Sequence, residues 1–184
     1  FDWRTAYFVG GGLGILLLLL RLTVYESGMF DSLKSRNVKR GSFSLVFKSW
    51  ESTLKYLCCI LIGVPIWFVV GILITFSPEF GKALAMPDIP TAGKAVMFCY
   101  IGLALGDFAS GTLSQIMRSR KKVSMIFMGL MSACILFYLC NKGVSLWMFY
   151  STCLALGFAA GYWAVFVTIA AEQFGTNIRS TVAT

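Results

Sequence analysis

One acidic residue lies inside an apolar run, and a carboxyl group in that position is a candidate for proton or cation binding. Asp107 lies in the run Gly93–Gln115, about two turns before the end of that run, which a cluster of basic residues follows. A carboxylate in hydrocarbon costs several kcal/mol unless it is paired, hydrated or protonated. At helical spacing it shares a face with Ser110, Gly111 and Ser114, which we expect to meet a bundle interior or water. Two interpretations stay open: a proton-binding or cation-binding site, and a buried acid hydrogen-bonded to neighbouring helices.

The residues of common catalytic and metal-binding motifs are missing or wrongly spaced. The sequence has no histidine, and its six cysteines lie in or at the ends of apolar runs without a CxxC spacing. Cysteine in a buried helix usually acts as a small hydrophobe, so we expect neither a disulfide nor a metal site. No G-x-S-x-G sequence and no DxxD-type pair of acids occurs. We therefore expect a protein that is not an enzyme and holds no cofactor.

Five long apolar runs must position these side chains. Most reach the roughly 20 residues that a bilayer core requires, and the first and fourth need flanking residues to complete the span. Only helices and closed barrels satisfy all backbone groups in hydrocarbon, and barrel strands alternate over about 10 residues. The sequence therefore predicts an all-α, polytopic helical membrane protein. The runs are Ala6–Leu20, Tyr56–Ser77, Gly93–Gln115, Val123–Cys140 and Leu146–Ala171.

Basic residues collect in alternate gaps between the runs. Cytoplasmic loops are rich in Lys and Arg, so we expect residues 21–55, residues 116–122 and the segment after 171 to be cytoplasmic. The net charge of +8 is then a topology signal that contacts anionic lipid, and we expect no nucleic-acid partner. The short loops and compact format favour a multi-pass protein of a bacterial inner membrane.

The cytoplasmic end of the third run carries a recognisable pattern. Gly111–Lys122 reads G-T-L-S-Q-I-M-R-S-R-K-K. It resembles G-x-L-x-D-R-x-G-R-R/K, the loop signature of the major facilitator superfamily. Gly111, Leu113 and Arg120 match, and Arg118 stands where the signature has its second glycine.

Two further segments strengthen this resemblance and point to the sugar-porter or metabolite:proton symporter branch. Ala171–Arg179 is similar to A-E-x-F-P-T-x-x-R, with matches that include Glu172 and Arg179. Trp3-Arg4 and the later Tyr25–Phe30 resemble the W-R and P-E-S-P-R-W/F motifs that flank the sixth helix, with Glu26 and Ser27 matching.

The resemblance implies a place in a larger fold of two six-helix halves. Residues 1–25 would be the last helix of the first half, and residues 26–53 the central cytoplasmic loop. Residues 54–184 would be an incomplete second half, up to the start of the eleventh helix. We therefore expect this chain, with about five transmembrane helices, to be a piece of a longer protein that functions as a monomer when full length.

Charged residues at the predicted cytoplasmic rim are candidates for a gate. Opposite charges at helix ends can latch a bundle closed and separate when it opens, since charged hydrogen bonds are strong when partly desolvated. The other interpretation is that they are solvated anchors that follow the positive-inside rule. The candidates are Glu26, Arg118, Arg120, Glu172 and Arg179.

Four aromatic residues in the apolar runs are candidates to line a transport pathway: Trp67, Tyr100, Tyr162 and Trp163. The other interpretation is that they pack between helices or anchor the interface. The run Tyr56–Ser77 contains no Gln or Asn, whereas sugar transporters of this branch usually carry them in the corresponding helix. A sugar substrate is therefore not expected.

Small residues form a stripe along the last run, which we expect to be one helix with these residues on a single face. Gly157 and Gly161 form a GxxxG pattern, and Ala164, Thr168 and Ala171 continue it. Such a stripe indicates tight helix packing, and the alternative is a face that lines a cavity or slides during gating.

Together these features predict secondary active transport of a small organic solute by alternating access, coupled to a proton or another cation through Asp107. The expected partners are that unidentified solute, the coupling ion and the lipid bilayer. Two alternatives stay open: a receptor or scaffold that has the same fold without transporting, and an efflux pump for drugs or metabolites.

Overall fold

The structure, a computed structural model, describes residues 2–22, 47 and 49–174. The chain divides into two compact units, Phe1–Arg40 and Gly41–Thr184. The described part of the first unit is helix α1, Trp3–Leu22. At its start the Arg4 guanidinium lies 5.3 Å from the centre of the Trp3 ring. This aromatic and basic pair is typical of the membrane–water interface.

The second unit is a helical bundle. Helix α2, Trp50–Phe68, continues as a π-helical segment, Val69–Ile74, and the short helix α3 follows. Four longer helices make up the rest of the bundle. The bounds of these five helices are α3 Ser77–Ala83, α4 Ala92–Ile116, α5 Arg120–Cys140, α6 Leu146–Ala160 and α7 Trp163–Gln173.

Five helical segments of the described chain are long and apolar enough to cross a membrane. They contain between 20 and 28 residues, and a helix of this length spans the hydrocarbon core. The prediction of an all-α, polytopic membrane protein is confirmed. The segments are Trp3–Leu22, Trp50–Ile74, Ala92–Ile116, Arg120–Cys140 and Leu146–Gln173.

The last span is interrupted, so the prediction of one continuous helix is wrong. Helix α6 ends at Ala160, and Gly161 and Tyr162 form a turn before α7 begins at Trp163. The Gly161 N–H turns back to the Phe158 carbonyl, 3.1 Å away. A span broken in this way does not carry the small-residue stripe on one continuous face.

Two other elements are short or irregular. The segment after the second span begins with α3, which has Pro78 in its first turn, where proline is well tolerated. In α2 the irregularity is a π-helix that follows Pro65 by one turn. The buried Tyr138 hydroxyl donates to the Leu73 carbonyl at 2.9 Å and so satisfies a backbone group of this irregular segment.

The centre of the bundle is a glycine contact between α4 and α6, the two helices that pack most extensively. A Cβ atom on Gly157 would collide with the Cys99 carbonyl, and one on Gly102 with the Leu154 carbonyl. At the end of α6, a Cβ on Gly161 would meet the Gly106 backbone. The prediction that Gly157 and Gly161 pack tightly is confirmed, because only glycine lets these backbones touch.

We predict that Gly157→Ala destabilises the bundle, because the added methyl group must push α6 away from α4. Overpacking of this kind costs about 1–3 kcal/mol. The expected result is a lower melting temperature in detergent. The matched control is Gly129→Ala in α5, where an added Cβ has nothing within 4 Å and should leave the melting temperature unchanged. Equal melting temperatures for the two variants would contradict the close contact.

Candidate functional site

A cavity of about 330 Å³ lies between α2 and α7. The Trp67 and Trp163 rings meet there edge to face, with their centres 5.5 Å apart. The Phe166 ring lies over Gly63, where a Cβ would be 3.2 Å from the ring. None of the described residues that line the cavity carries a formal charge. They are Tyr56, Cys59, Ile60, Gly63, Val64, Trp67, Trp163, Phe166, Val167 and Ala170.

A small apolar cluster lies beside this cavity, toward the end of α7. Cys59, Ala170 and Phe174 are buried together, and Tyr56 and Phe166 pack against them. Four of these five residues also line the cavity, and the fifth, Phe174, directly follows the last helical residue, Gln173. The cluster is thus the part of the cavity wall nearest the helix end that carries Glu172.

An ion pair joins two helix ends on this side of the bundle. The Arg120 guanidinium, at the start of α5, donates to a carboxylate oxygen of Glu172 in the last turn of α7. Both side chains are about half exposed, at 42% and 59%. An ion pair so exposed contributes only about 0–1 kcal/mol, so it can open and close without a large change in free energy.

The turn before α5 explains the position of Arg118. Its φ is +49°, a left-handed conformation that glycine adopts most easily. This is the position at which the loop signature has its second glycine. Arg118 thus adopts the backbone conformation of the signature's second glycine in the tight turn between α4 and α5, although arginine replaces that glycine. Two of the predicted gate charges, Glu26 and Arg179, lie outside the described residues.

Asp107 and Ser110 face the interruption between α6 and α7. An Asp107 carboxylate oxygen accepts a hydrogen bond from the Ala164 N–H at 3.3 Å. The buried Ser110 hydroxyl donates to the Gly161 carbonyl at 2.5 Å. Asp107 is therefore hydrogen-bonded to a neighbouring helix, as one of its two interpretations expects, and a role in proton binding stays a prediction.

The four aromatic residues predicted to line a pathway occupy different places. Trp67 and Trp163 border the cavity. Tyr162 is completely buried and its hydroxyl donates to the Ile62 carbonyl of α2 at 2.7 Å. Tyr100 is about half exposed, on α4. A pathway-lining role stays a prediction for each of them.

Sequence reasoning missed the rest of the cavity wall. Cys59, Gly63 and Trp67 recur every fourth residue in α2, and Trp163, Phe166 and Val167 follow the helical period in α7. Residues at this spacing share one helix face. The available signal was thus a row of mixed small and aromatic residues, but only the packing of α2 on α7 shows that the two rows face each other.

The chain belongs to the Major Facilitator Superfamily, whose family model matches residues 1–184. No curated protein and no solved structure matches it. The predicted resemblance is confirmed at the level of this superfamily, and the helical bundle is a partial form of its fold. Members are membrane transporters that bind small molecules in a lipid bilayer, which is consistent with the expectation that the chain is not an enzyme.

Proposed function

We propose that this chain is the central part of a secondary transporter that moves a small organic solute by alternating access. The observation that carries the proposal is an uncharged aromatic cavity with an ion pair between two helices at one end. Transporters with two halves bind their solute near the middle of the membrane and rock around that site. The cavity between α2 and α7 would supply this chain's share of the solute site.

The proposal assigns each part of the chain a place in the two-half fold. Residues 1–25 form the sixth helix, residues 26–53 the central loop, and residues 54–184 the seventh to tenth helices and the start of the eleventh. The motif resemblances support a position in the sugar-porter or metabolite:proton symporter branch. The cavity wall offers aromatic faces and no charge, which favours a solute with apolar or aromatic surface over a sugar.

Arg120 and Glu172 act as the cytoplasmic gate in this proposal. Their ion pair links α5 to α7, so it restrains the movement of one helix relative to the other. Lys121 and Lys122, which are also exposed near the start of α5, serve as positive-inside anchors. Because the ion pair is weak, breaking it adds little to the free energy of opening, as a gate requires.

Asp107 is the proton-coupling group in this proposal. Its carboxylate accepts a hydrogen bond at the start of α7, the helix that also carries Glu172 and the cavity residues Trp163 and Phe166. An ionised carboxylate only accepts hydrogen bonds, whereas a protonated one also donates. Protonation would therefore change the contact between α4 and α7. Because α7 carries residues of both the cavity and the gate, this change in its contact would affect both.

We predict that Arg120→Glu opens the gate end of the bundle in the full-length transporter, because two carboxylates replace an ion pair. Cys59, which is buried beneath that end, should then react about two- to fivefold faster with a polar thiol reagent, as expected for the loss of an exposed ion pair. All variants carry Cys58→Ser, which removes the adjacent exposed thiol, so that peptide-level mass spectrometry separates Cys59 from the other cysteines.

The double variant Arg120→Glu/Glu172→Arg restores the opposite charges and should return the labelling rate toward that of the parent. Lys122→Glu is the matched control, since it makes the same charge change near the start of the same helix. The gate assignment fails if Arg120→Glu reacts no faster than Lys122→Glu.

We predict that Asp107→Asn in the full-length transporter abolishes uptake driven by a proton gradient. The amide has nearly the shape of the carboxylate but cannot take up a proton. Exchange of labelled solute in the absence of a gradient should persist, which separates loss of coupling from loss of folding. Unchanged pH-driven uptake in this variant would disprove the coupling role.

A further inference from the structure

The interruption at Gly161–Tyr162 leaves backbone groups that need partners. The first N–H groups of a helix have no acceptor within that helix, and hydrocarbon offers no water to replace it. Helix α7 begins at Trp163, inside a 28-residue span. The protein must therefore provide hydrogen-bonding groups at this junction from another helix.

Helix α4 provides one group for each side of the junction. On the α7 side, the Asp107 carboxylate accepts from the Ala164 N–H at 3.3 Å. On the α6 side, the Ser110 hydroxyl donates to the Gly161 carbonyl at 2.5 Å. Residues three apart lie on the same helix face, so one face of α4 holds both sides of the interruption.

The backbone contact around Gly161 brings these groups within reach. A Cβ on Gly161 would collide with the backbone of Gly106 and Asp107, so the junction rests directly on α4. On its other side, the buried Tyr162 hydroxyl reaches the Ile62 carbonyl of α2. The junction is thus held between two helices.

The position of the junction determines where the aromatic wall of the cavity begins. Trp163 is the first residue of α7, and Phe166 lies about one turn further along. Both border the cavity, Trp163 against Trp67 and Phe166 over Gly63. A displacement of the start of α7 would therefore move both rings.

We propose that Asp107 and Ser110 are positioning residues that clamp the α6–α7 junction to α4 and so hold Trp163 and Phe166 in the cavity wall. In this role the Asp107 oxygen acts as a hydrogen-bond acceptor, whatever its part in proton coupling. The consequence for transport rests on the proposed function, because it takes the cavity to be the solute site. The clamp itself is independent of that proposal.

The test is hydrogen–deuterium exchange of the full chain in lipid nanodiscs, read on peptides that cover residues 161–167. Asp107→Leu removes the acceptor and Ser110→Ala removes the donor, so each variant should exchange faster in these peptides. A hydrogen bond contributes about 0.5–1.5 kcal/mol, which corresponds to about a two- to tenfold faster exchange. Asp107→Asn keeps an acceptor oxygen and should stay close to the parent.

Ser114→Ala is the matched control, since the Ser114 hydroxyl donates to the Gly111 carbonyl of its own helix. The clamp is disproved if Asp107→Leu and Ser110→Ala exchange at the rate of Ser114→Ala. Ser110→Ala removes a single hydroxyl and still decides the question if Asp107→Leu does not fold.

The two proposals fail in different experiments. If Asp107→Asn keeps the parent's exchange rate in the junction peptides but loses proton-driven uptake, the residue has both roles. If it keeps proton-driven uptake, the coupling role is disproved, and exchange in Asp107→Leu and Ser110→Ala still decides the clamp.

Discussion

An irregular backbone segment in a membrane span needs hydrogen-bond partners from the protein or from enclosed water, because an unsatisfied N–H or C=O in hydrocarbon costs several kcal/mol. This constraint shapes the described bundle at two places. Tyr138 satisfies the π-helical segment of α2 through the Leu73 carbonyl. Asp107 and Ser110 satisfy the interruption between α6 and α7. The side chains of Tyr138, Asp107 and Ser110 thus lie where the helices depart from regular geometry.

The backbone contact at the interruption is tight, whereas the ion pair at the charged rim is weak. The junction at Gly161 is buried and held by direct backbone contact with Gly106, where small changes of volume are costly. The Arg120–Glu172 pair is exposed and weak. In the proposed transporter, a firmly held centre and a weak ion pair at one end suit rocking around a central site, since the site must keep its shape while the end opens.

The sequence alone was sufficient for the spans and for the contact at their centre. A continuous apolar run of this length is stable in a bilayer as a helix. The GxxxG pattern of Gly157 and Gly161 predicts close packing. It was insufficient for the interruption after Gly161, because the composition stays apolar through Trp163 and the turn depends on partners from α4. The pairing of Arg120 with Glu172 joins residues 52 positions apart, which only the packing of the helices can bring together.

The central claim is that the two ends of the cavity open in alternation. The direct measurement is labelling of the full-length protein in membrane vesicles with an impermeant thiol reagent applied from each side. One target is Cys59, near the proposed gate, in a Cys58→Ser background that removes the adjacent exposed thiol. The other is a thiol introduced by Gly71→Cys, four residues beyond Trp67, where an added side chain has open space. With Glu172→Gln, the account predicts faster labelling of Cys59 from one side and slower labelling of the introduced thiol from the other. Labelling that rises at both positions, or changes at neither, would contradict alternating access.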